Sequence, residues 1–195
     1  MVDDAPADAA HREPRRPRGD PDLDGFEFLY KKLYGPIFNY VMRTVMDATA
    51  AEDIVSETFL KALQGYRAFT PRGGGGEAWI YRIATNAMLD HFRRRKRAPV
   101  VSADSVSYGR LEAQGIIAGD APDAADRYEE YQRLHRAMES LKTTYRIALV
   151  LFYFEGKSIK EIAAIQRCTT VTARWRHHHA RKLLAANYTT LPRAE

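Results

Sequence analysis

Residues 158–187, SIKEIAAIQRCTTVTARWRHHHARKLLAAN, contain the clearest structural signal in the C-terminal part of the chain. Ser158 and Glu161 have the spacing of a capping box, which predicts the start of a short helix. A tight turn follows, and Thr169 is predicted to cap a second helix that is rich in arginine and histidine. A short capped helix, a tight turn and a basic second helix are together typical of a helix-turn-helix.

The second helix of this motif has the composition of a helix that reads duplex DNA. In the major groove its early residues would lie against base edges, and its positive N-terminal dipole would face phosphate. The early, outward residues are Thr170, Val171, Arg174, Trp175 and His178. Arg174 is the best candidate to read a guanine through two hydrogen bonds, whereas Arg176, Arg181 and Lys182 suit phosphates. The alternative is a basic helix that is merely solvated, but the motif around it favours DNA binding.

The tract His177–His179 resembles a metal site only in composition. Three consecutive helical residues point about 100° apart, so their rings cannot converge on one ion. Cys168 is the only cysteine of the chain, which excludes an internal disulfide and a zinc site built from cysteines. We therefore predict neither a metal nor a cofactor.

Residues 24–97 also show helical periodicity, and no stretch of the chain alternates long enough to predict a strand. Pro36 predicts a kink or a restart of the first helix near Gly35. Thr49 and Glu52 have the spacing of a capping box at the start of a second helix. The fold class predicted from these patterns is all-α.

A third helix, predicted over about 77–95, carries the second group of candidate DNA ligands. Its polar stripe, at spacings of four, four and three residues, consists of Arg82, Asn86, Asp90 and Arg93. The side chain of Asn86 offers a donor and an acceptor together, which suits the edge of a base. The helix ends in five consecutive cations, Arg93, Arg94, Arg95, Lys96 and Arg97, which favour an anion. Solvated cations at a C-terminal helix dipole are the alternative.

The second helix carries the acidic residues Glu52, Asp53 and Glu57. Because an acidic face repels DNA, it indicates a protein partner with a basic groove, the alternative being an ordinary solvated face.

Charge and composition divide the 195-residue chain. Residues 21–97 carry a net charge of +3 and residues 126–195 a net charge of +6, whereas residues 98–125 carry −3 and read as a flexible linker. The predicted domain organisation also includes an N-terminal tail over 1–23 and a short C-terminal tail over 189–195. The N-terminal tail is expected to be disordered. No apolar run is long enough for a membrane span, so we expect a cytoplasmic protein without membrane insertion.

Four segments resemble a known family. AEDIVSETFLKA (51–62) and EAWIYRIATNAMLDHFRRRKR (77–97) are similar to the second conserved region of bacterial extracytoplasmic-function (ECF) sigma factors. LKTTYRIALVLFYFEGKSIKEIAAI (141–165) and HARKLL (179–184) are similar to their fourth region. The resemblance covers about 24–97 and 126–188. It implies two small helical domains: one that binds core RNA polymerase and the promoter −10 element, and one that binds the −35 element.

The resemblance also implies roles for residues. Glu52, Asp53 and Glu57 would dock on the clamp helices of the largest polymerase subunit. Asn86 would capture a base flipped from the −10 strand, with help from phosphate contacts of the basic helix end. For the −10 element the resemblance implies Asn86 and Arg93, Arg94, Arg95, Lys96 and Arg97, and the polar stripe adds Arg82 and Asp90. Those implied for the −35 element are Thr169, Thr170, Val171, Arg174, Trp175, Arg176, His178, His179 and Arg181. An anti-sigma factor is a further partner that the resemblance raises.

The sequence departs from the family pattern at a few positions of the helix-turn-helix. Arg167 stands in the turn where the family has a glycine or a small polar residue, and His177 stands where an inward leucine is usual. Ala173 further thins the apolar side of the last helix. These departures predict that the −35 contact is weakened, altered or dependent on another contact.

Three other classes of protein share some of these features. A stand-alone helix-turn-helix regulator explains residues 126–188 but leaves AEDIVSETF and the arginine run without a role. An enzyme is disfavoured because the chain has no phosphate-binding glycine loop, no zinc-ligand spacing and no nucleophile–base set. An adaptor that does not bind DNA would keep its binding when salt is raised, whereas a DNA-binding protein would lose it.

Overall fold

The computed structural model of the protein describes residues 21–69, 75–97 and 124–191. Within these ranges the chain forms helices and no strands, which confirms the all-α fold class. The helices are α1 (Pro21–Val45), α2 (Ala48–Tyr66), α3 (Gly75–Arg97), α4 (Ala124–Glu139), α5 (Thr143–Tyr153), α6 (Ile159–Ile165) and α7 (Thr170–Thr190). The predicted tail over 1–23 falls mainly, and the predicted linker over 98–125 almost entirely, outside the described residues.

Helices α1 to α3 form the first helical group. Apolar residues at three- and four-residue steps place one side of each helix in a shared core, for example Ile37 on α1, Ile54 on α2 and Ile80 on α3. Helices α4 to α7 form the second group, with Ile147 and Ile162 fully buried. The two groups supply one continuous hydrophobic core.

The structure differs from two local predictions for the first group. Helix α1 runs unbroken through Pro36, so the helix does not restart near Gly35, and the kink stays a prediction. Pro36 lies on the exposed side of α1, where water can bond the carbonyl that proline leaves unpaired. The cap of α2 is Asp47 and not Thr49: the Asp47 carboxylate accepts a hydrogen bond from the Ala50 amide at 3.0 Å.

A buried arginine joins the two groups. The guanidinium of Arg146 on α5 donates hydrogen bonds to the carbonyls of Met138 and Glu139, at 3.0 and 2.8 Å. It also donates to the carbonyl of Thr44, at 2.9 Å. All three carbonyls belong to the last turns of α4 and α1, whose negative dipole ends therefore converge on this one cation. The guanidinium also lies over the ring of Phe92, 5.5 Å from its centroid.

A second polar contact joins α3 to the segment that follows α5. The Tyr81 hydroxyl donates to the Glu155 carboxylate at 2.7 Å, and a guanidinium nitrogen of Arg43 lies 3.6 Å from that carboxylate. Lys157 pairs with Glu77, and its ammonium lies 4.6 Å from the centroid of the Tyr81 ring. The Glu155 side chain is only 7% exposed, and one of its oxygens has no hydrogen-bond partner among the described residues.

Burial, the largest influence on Glu155, raises the pKa of its carboxyl above the usual value. A carboxyl with a raised pKa in the folded state stabilises the fold most at low pH, and this contribution is lost as the pH rises through that pKa. We therefore expect Glu155→Gln to gain stability relative to the parent protein as the pH rises from about 4 to 7. Urea unfolding across this range measures the difference. Glu130→Gln, which changes an exposed carboxylate on α4, should show no such trend. A constant difference between Glu155→Gln and the parent would contradict this pKa assignment.

Candidate functional site

The outward side of α2 carries the acidic residues that the sequence singled out. Glu52 and Asp53 are exposed, and Glu57 is half-buried, with its carboxylate 2.6 Å from the ammonium of Lys61. Leu60, which lies almost one turn beyond Glu57, is 57% exposed. An apolar side chain beside carboxylates suits a protein partner with a basic and apolar surface. Sequence analysis missed Leu60, although its spacing from Asp53 and Glu57 places it on the same side of the helix.

The basic end of α3 lies next to this acidic side. All of the residues in Arg93–Arg97 are exposed. Arg94 approaches Glu57 to 3.8 Å, and Arg93 pairs with Asp90 at 2.7 Å. Both pairs are largely solvated, so they hold the arginines only weakly, and a phosphate could compete for them. The cluster is therefore accessible to an anion, and its role as an anion-binding surface stays a prediction.

Asn86 borders a groove along α3. The Asn86 side chain is exposed, and Arg82, one turn earlier, is half-buried. The groove has a volume of about 670 Å³. Its lining includes Lys61, Phe69, Trp79, Arg82 and Asn86, together with Ala164 from the second helical group. A groove with cations, an amide and aromatic rings can accept a planar base and its phosphate.

The aromatic residues of α3 have different surroundings. Trp79 borders the groove and stacks on Phe69 with the ring centroids 4.3 Å apart. Tyr81 is buried and bonded to Glu155, and Phe92 is half-buried under Arg146. Of the three aromatic residues on this helix, only Trp79 therefore remains placed to meet a base.

The second candidate surface is the helix-turn-helix of α6 and α7. Ser158 and Glu161 form the predicted capping box of α6, and Thr169 caps α7 by accepting a hydrogen bond from the Thr172 amide at 3.1 Å. Arg167, in the turn, has a φ of 49°, a left-handed conformation that glycine adopts more easily. The structure therefore contains the turn that the sequence indicated, and Arg167 adopts a strained backbone conformation in it.

The outward side of α7 presents most of the predicted DNA ligands to solvent. Thr169, Thr170, Val171, Arg174, Trp175, His178 and Arg181 are exposed, whereas Arg176 and His179 are half-buried. Arg176 donates to the side-chain oxygen of Gln166 at 2.9 Å, and the Gln166 amide donates to the carbonyl of Thr144 at 3.0 Å. This chain of bonds fixes Arg176 against the turn and gives it a structural role besides any contact with phosphate.

The three consecutive histidines diverge, as their helical spacing requires. His177 is buried, with its ring 4.2 Å from that of Phe152, and burial lowers the pKa of its imidazole. His178 is exposed, and His179 stacks on Trp175. His177 therefore fills the inward position that the sequence assigned to it. Among the described residues, no group of three histidine, cysteine or acidic side chains could hold a metal ion.

Two family models match the chain: Sigma-70 region 2 over residues 29–98 and Sigma-70, region 4 over residues 131–184. The RNA polymerase sigma-H factor of Pseudomonas aeruginosa is 32% identical over 170 residues, which cover 84% of this chain and 86% of that protein. The ECF RNA polymerase sigma-E factor of Escherichia coli is 29% identical over 167 residues, which cover 84% and 86%.

Solved structures share the fold. The sigma factor RpoE from Bartonella quintana, in complex with the anti-sigma factor NepR, has a TM-score of 0.62 and 21% identity, over 87% of this chain and 99% of that one. CnrH in complex with the cytosolic domain of CnrY has a TM-score of 0.59 and 25% identity, over 84% and 87%. In the part of the chain that the structure describes, no helix is both long and apolar enough to cross a bilayer.

Proposed function

This chain belongs to the ECF sigma factors of bacterial RNA polymerase, and from that premise we propose which of its surfaces carry each part of the function. Sigma factors act in transcription initiation by binding core RNA polymerase and promoter DNA. The proposed domains keep the predicted bounds, 24–97 for the polymerase and −10 functions and 126–188 for the −35 function. The protein would act by binding alone, without catalysing a reaction, in the cytoplasm.

The observation that supports this assignment best is the acidic side of α2. Its carboxylates and the exposed Leu60 suit a protein, whereas the neighbouring Arg93–Arg97 suits DNA. A stand-alone helix-turn-helix regulator would need only α6 and α7, so that alternative is not favoured. The matching experiment is transcription from a library of promoter fragments by core polymerase with and without the protein. Transcripts that start at defined sites only when the protein is present are expected; their absence would refute the assignment.

The acidic side would dock on the clamp helices of the largest polymerase subunit. Asp53 and Glu57 would meet basic residues there, and Leu60 would add an apolar contact. Glu52 lies on the edge of the same surface. Because Glu57 is already 2.6 Å from Lys61, docking has to replace this solvated pair, which costs little.

The groove along α3 would hold the flipped base of the −10 element. The Asn86 amide would bond the edge of the base, Trp79 would offer a ring to stack on, and the cations of Arg93–Arg97 would hold the phosphates on either side. Arg82 lies on the same wall, and Asp90 orients Arg93.

We expect Asn86→Ala to slow promoter opening about tenfold while leaving binding to closed duplex promoter within about twofold. The amide would bond a base only after it has left the stack, so its loss affects only the opened state. Permanganate reactivity of unpaired thymines measures opening, and a mobility shift at low temperature measures duplex binding. Gln132→Ala, which removes an amide on α4, is the matched control. Equal losses in both assays would refute the base-capture role.

The structure, in which the two helical groups are packed together, would represent the protein when it is not bound to a promoter. The −10 and −35 elements are about 25 base pairs apart, which is about 85 Å of B-form DNA. Helix α3 packs on α6, and α6 packs on α7, so the two DNA surfaces lie only about two helix spacings, or about 20 Å, apart. To bind both elements, the groups would have to separate at the contacts made by Arg146 and Glu155. The groove along α3 would then lose Ala164 but keep Trp79, Arg82 and Asn86, which all lie on α3.

An anti-sigma factor is proposed as a further partner. The solved relative that is 25% identical is held by the cytosolic domain of another protein, and the same kind of partner could keep this chain in a state without promoter.

A further inference from the structure

The recognition helix α7 exposes two large apolar side chains where DNA contacts are expected. Val171 is 75% exposed and Trp175 is 55% exposed. The two residues are four positions apart, so they lie on one side of the helix, and Arg174 is exposed next to them. The inward side of α7 has its own residues, Ala173 and Ala180, which are fully buried. Val171 and Trp175 are therefore not needed for the core.

Trp175 is held in place although it is exposed. Its indole stacks on the His179 ring with the centroids 4.9 Å apart and an angle of 10° between the planes. The His179 ring in turn meets the Tyr145 ring edge-on at 5.4 Å, and Tyr145 also meets Trp175 edge-on at 6.2 Å. This stack, formed by Tyr145, Trp175 and His179, limits the rotation of the indole. A partner that binds the indole therefore loses little further side-chain entropy.

Base chemistry indicates what such a surface reads. In the major groove only thymine presents an apolar group, its 5-methyl, whereas the other bases present donors and acceptors alone. An arginine on the same side can bond a guanine at a neighbouring step. We propose that Val171 and Trp175 read thymine methyl groups of the −35 duplex, next to the base read by Arg174. The inference rests on the proposed −35 function of α7.

The first test removes only the methyl groups. Holoenzyme assembled from core polymerase and the full chain selects its −35 sequence from a randomised duplex library. Each thymine of the selected −35 element is then replaced by deoxyuridine, and the affinity of the holoenzyme for each duplex is measured. Burial of one methyl group corresponds to about fourfold in affinity, so a loss of about that size is expected at one or two thymines. A duplex substituted outside the −35 element is the control.

Variants of α7 then show which residue senses the methyl group. At the thymine that Trp175 reads, Trp175→Ala should bind the thymine and deoxyuridine duplexes equally well, and Trp175→Phe should restore part of the preference. Val171→Ala should remove the preference at the thymine that Val171 reads. Arg174→Ala, the matched control, should bind both duplexes more weakly but keep the fourfold ratio. His179→Ala removes the ring that restrains the indole, so it should reduce the ratio of the affinities for the thymine and deoxyuridine duplexes. It should also increase the mobility of Trp175. The fluorescence anisotropy of Trp175 measures this mobility once the other tryptophan has been removed by Trp79→Phe.

The outcomes separate this inference from the proposed function. Selection of no −35 sequence would overturn both. A selected sequence whose affinity is unchanged by deoxyuridine, or whose loss is the same in Trp175→Ala and in Val171→Ala as in the parent protein, would overturn methyl reading alone. If in addition Trp175→Ala weakened the association with core polymerase without DNA, the exposed indole would belong to a protein contact.

Discussion

Replacement of Arg146 by alanine is expected to lower the free energy of unfolding by about 3 kcal/mol or more. The guanidinium donates to the carbonyls of Met138, Glu139 and Thr44, and alanine would leave all three without this donor. Each buried acceptor that loses its partner costs about 1–3 kcal/mol, less where water can enter. Urea unfolding followed by circular dichroism measures the change.

Arg136→Ala is the control for this prediction. Arg136 is also an arginine near the end of α4, but it is exposed, so its loss should cost only a few tenths of a kcal/mol. If Arg146→Ala destabilised the protein no more than Arg136→Ala does, the convergence of α1 and α4 on this cation would not contribute to stability.

Replacement of Asp53 by arginine is expected to weaken the association with core polymerase about 100-fold or more. Asp53 is exposed on the acidic side of α2, and the reversed charge would face a basic surface. Because the side chain is outside the core, the free energy of unfolding should change by less than about 0.5 kcal/mol. Affinity is measured by competition for core polymerase against a labelled sample of the parent protein.

Glu27→Arg provides the matched control for the charge reversal. Glu27 is an exposed carboxylate on α1, paired with Lys31 at 2.5 Å, and lies outside the proposed docking side. It should retain the affinity of the parent protein. Equal affinities for Asp53→Arg and the parent would refute the docking role. Equal losses of affinity in Asp53→Arg and Glu27→Arg would show that only the net charge of the protein matters, and this would also refute the docking role.

The helix-turn-helix could be predicted closely because its signals are local. Ser158 caps through a residue three positions away, and Thr169 does the same, so the sequence alone contains both interactions. Local signals also compete, and this explains one error. Asp47 and Thr49 are both good capping residues. Met46, with a φ of 62°, follows the last residue of α1 and turns the chain there, so that Asp47 is the residue in position to cap α2.

The contacts between the two helical groups could not be predicted in this way. Tyr81 and Glu155 are 74 positions apart, and Arg146 and Thr44 are 102 positions apart, so no spacing rule connects them. The groove beside Asn86 could not be predicted either, because Lys61 reaches it from α2 and Ala164 reaches it from α6 of the second group. Periodicity placed Asn86 and Arg82 on one side of α3, but only the packing of the helices shows what they face.

Both the membership of the ECF family and the proposed surfaces require the protein to bind core polymerase. The most direct measurement is the association of the purified protein with bacterial core RNA polymerase at low and at moderate salt. We predict a one-to-one complex that persists at moderate salt, because carboxylates and the exposed Leu60 both contribute to the docking side. A protein that binds DNA but forms no complex with core polymerase at either salt concentration would contradict the account.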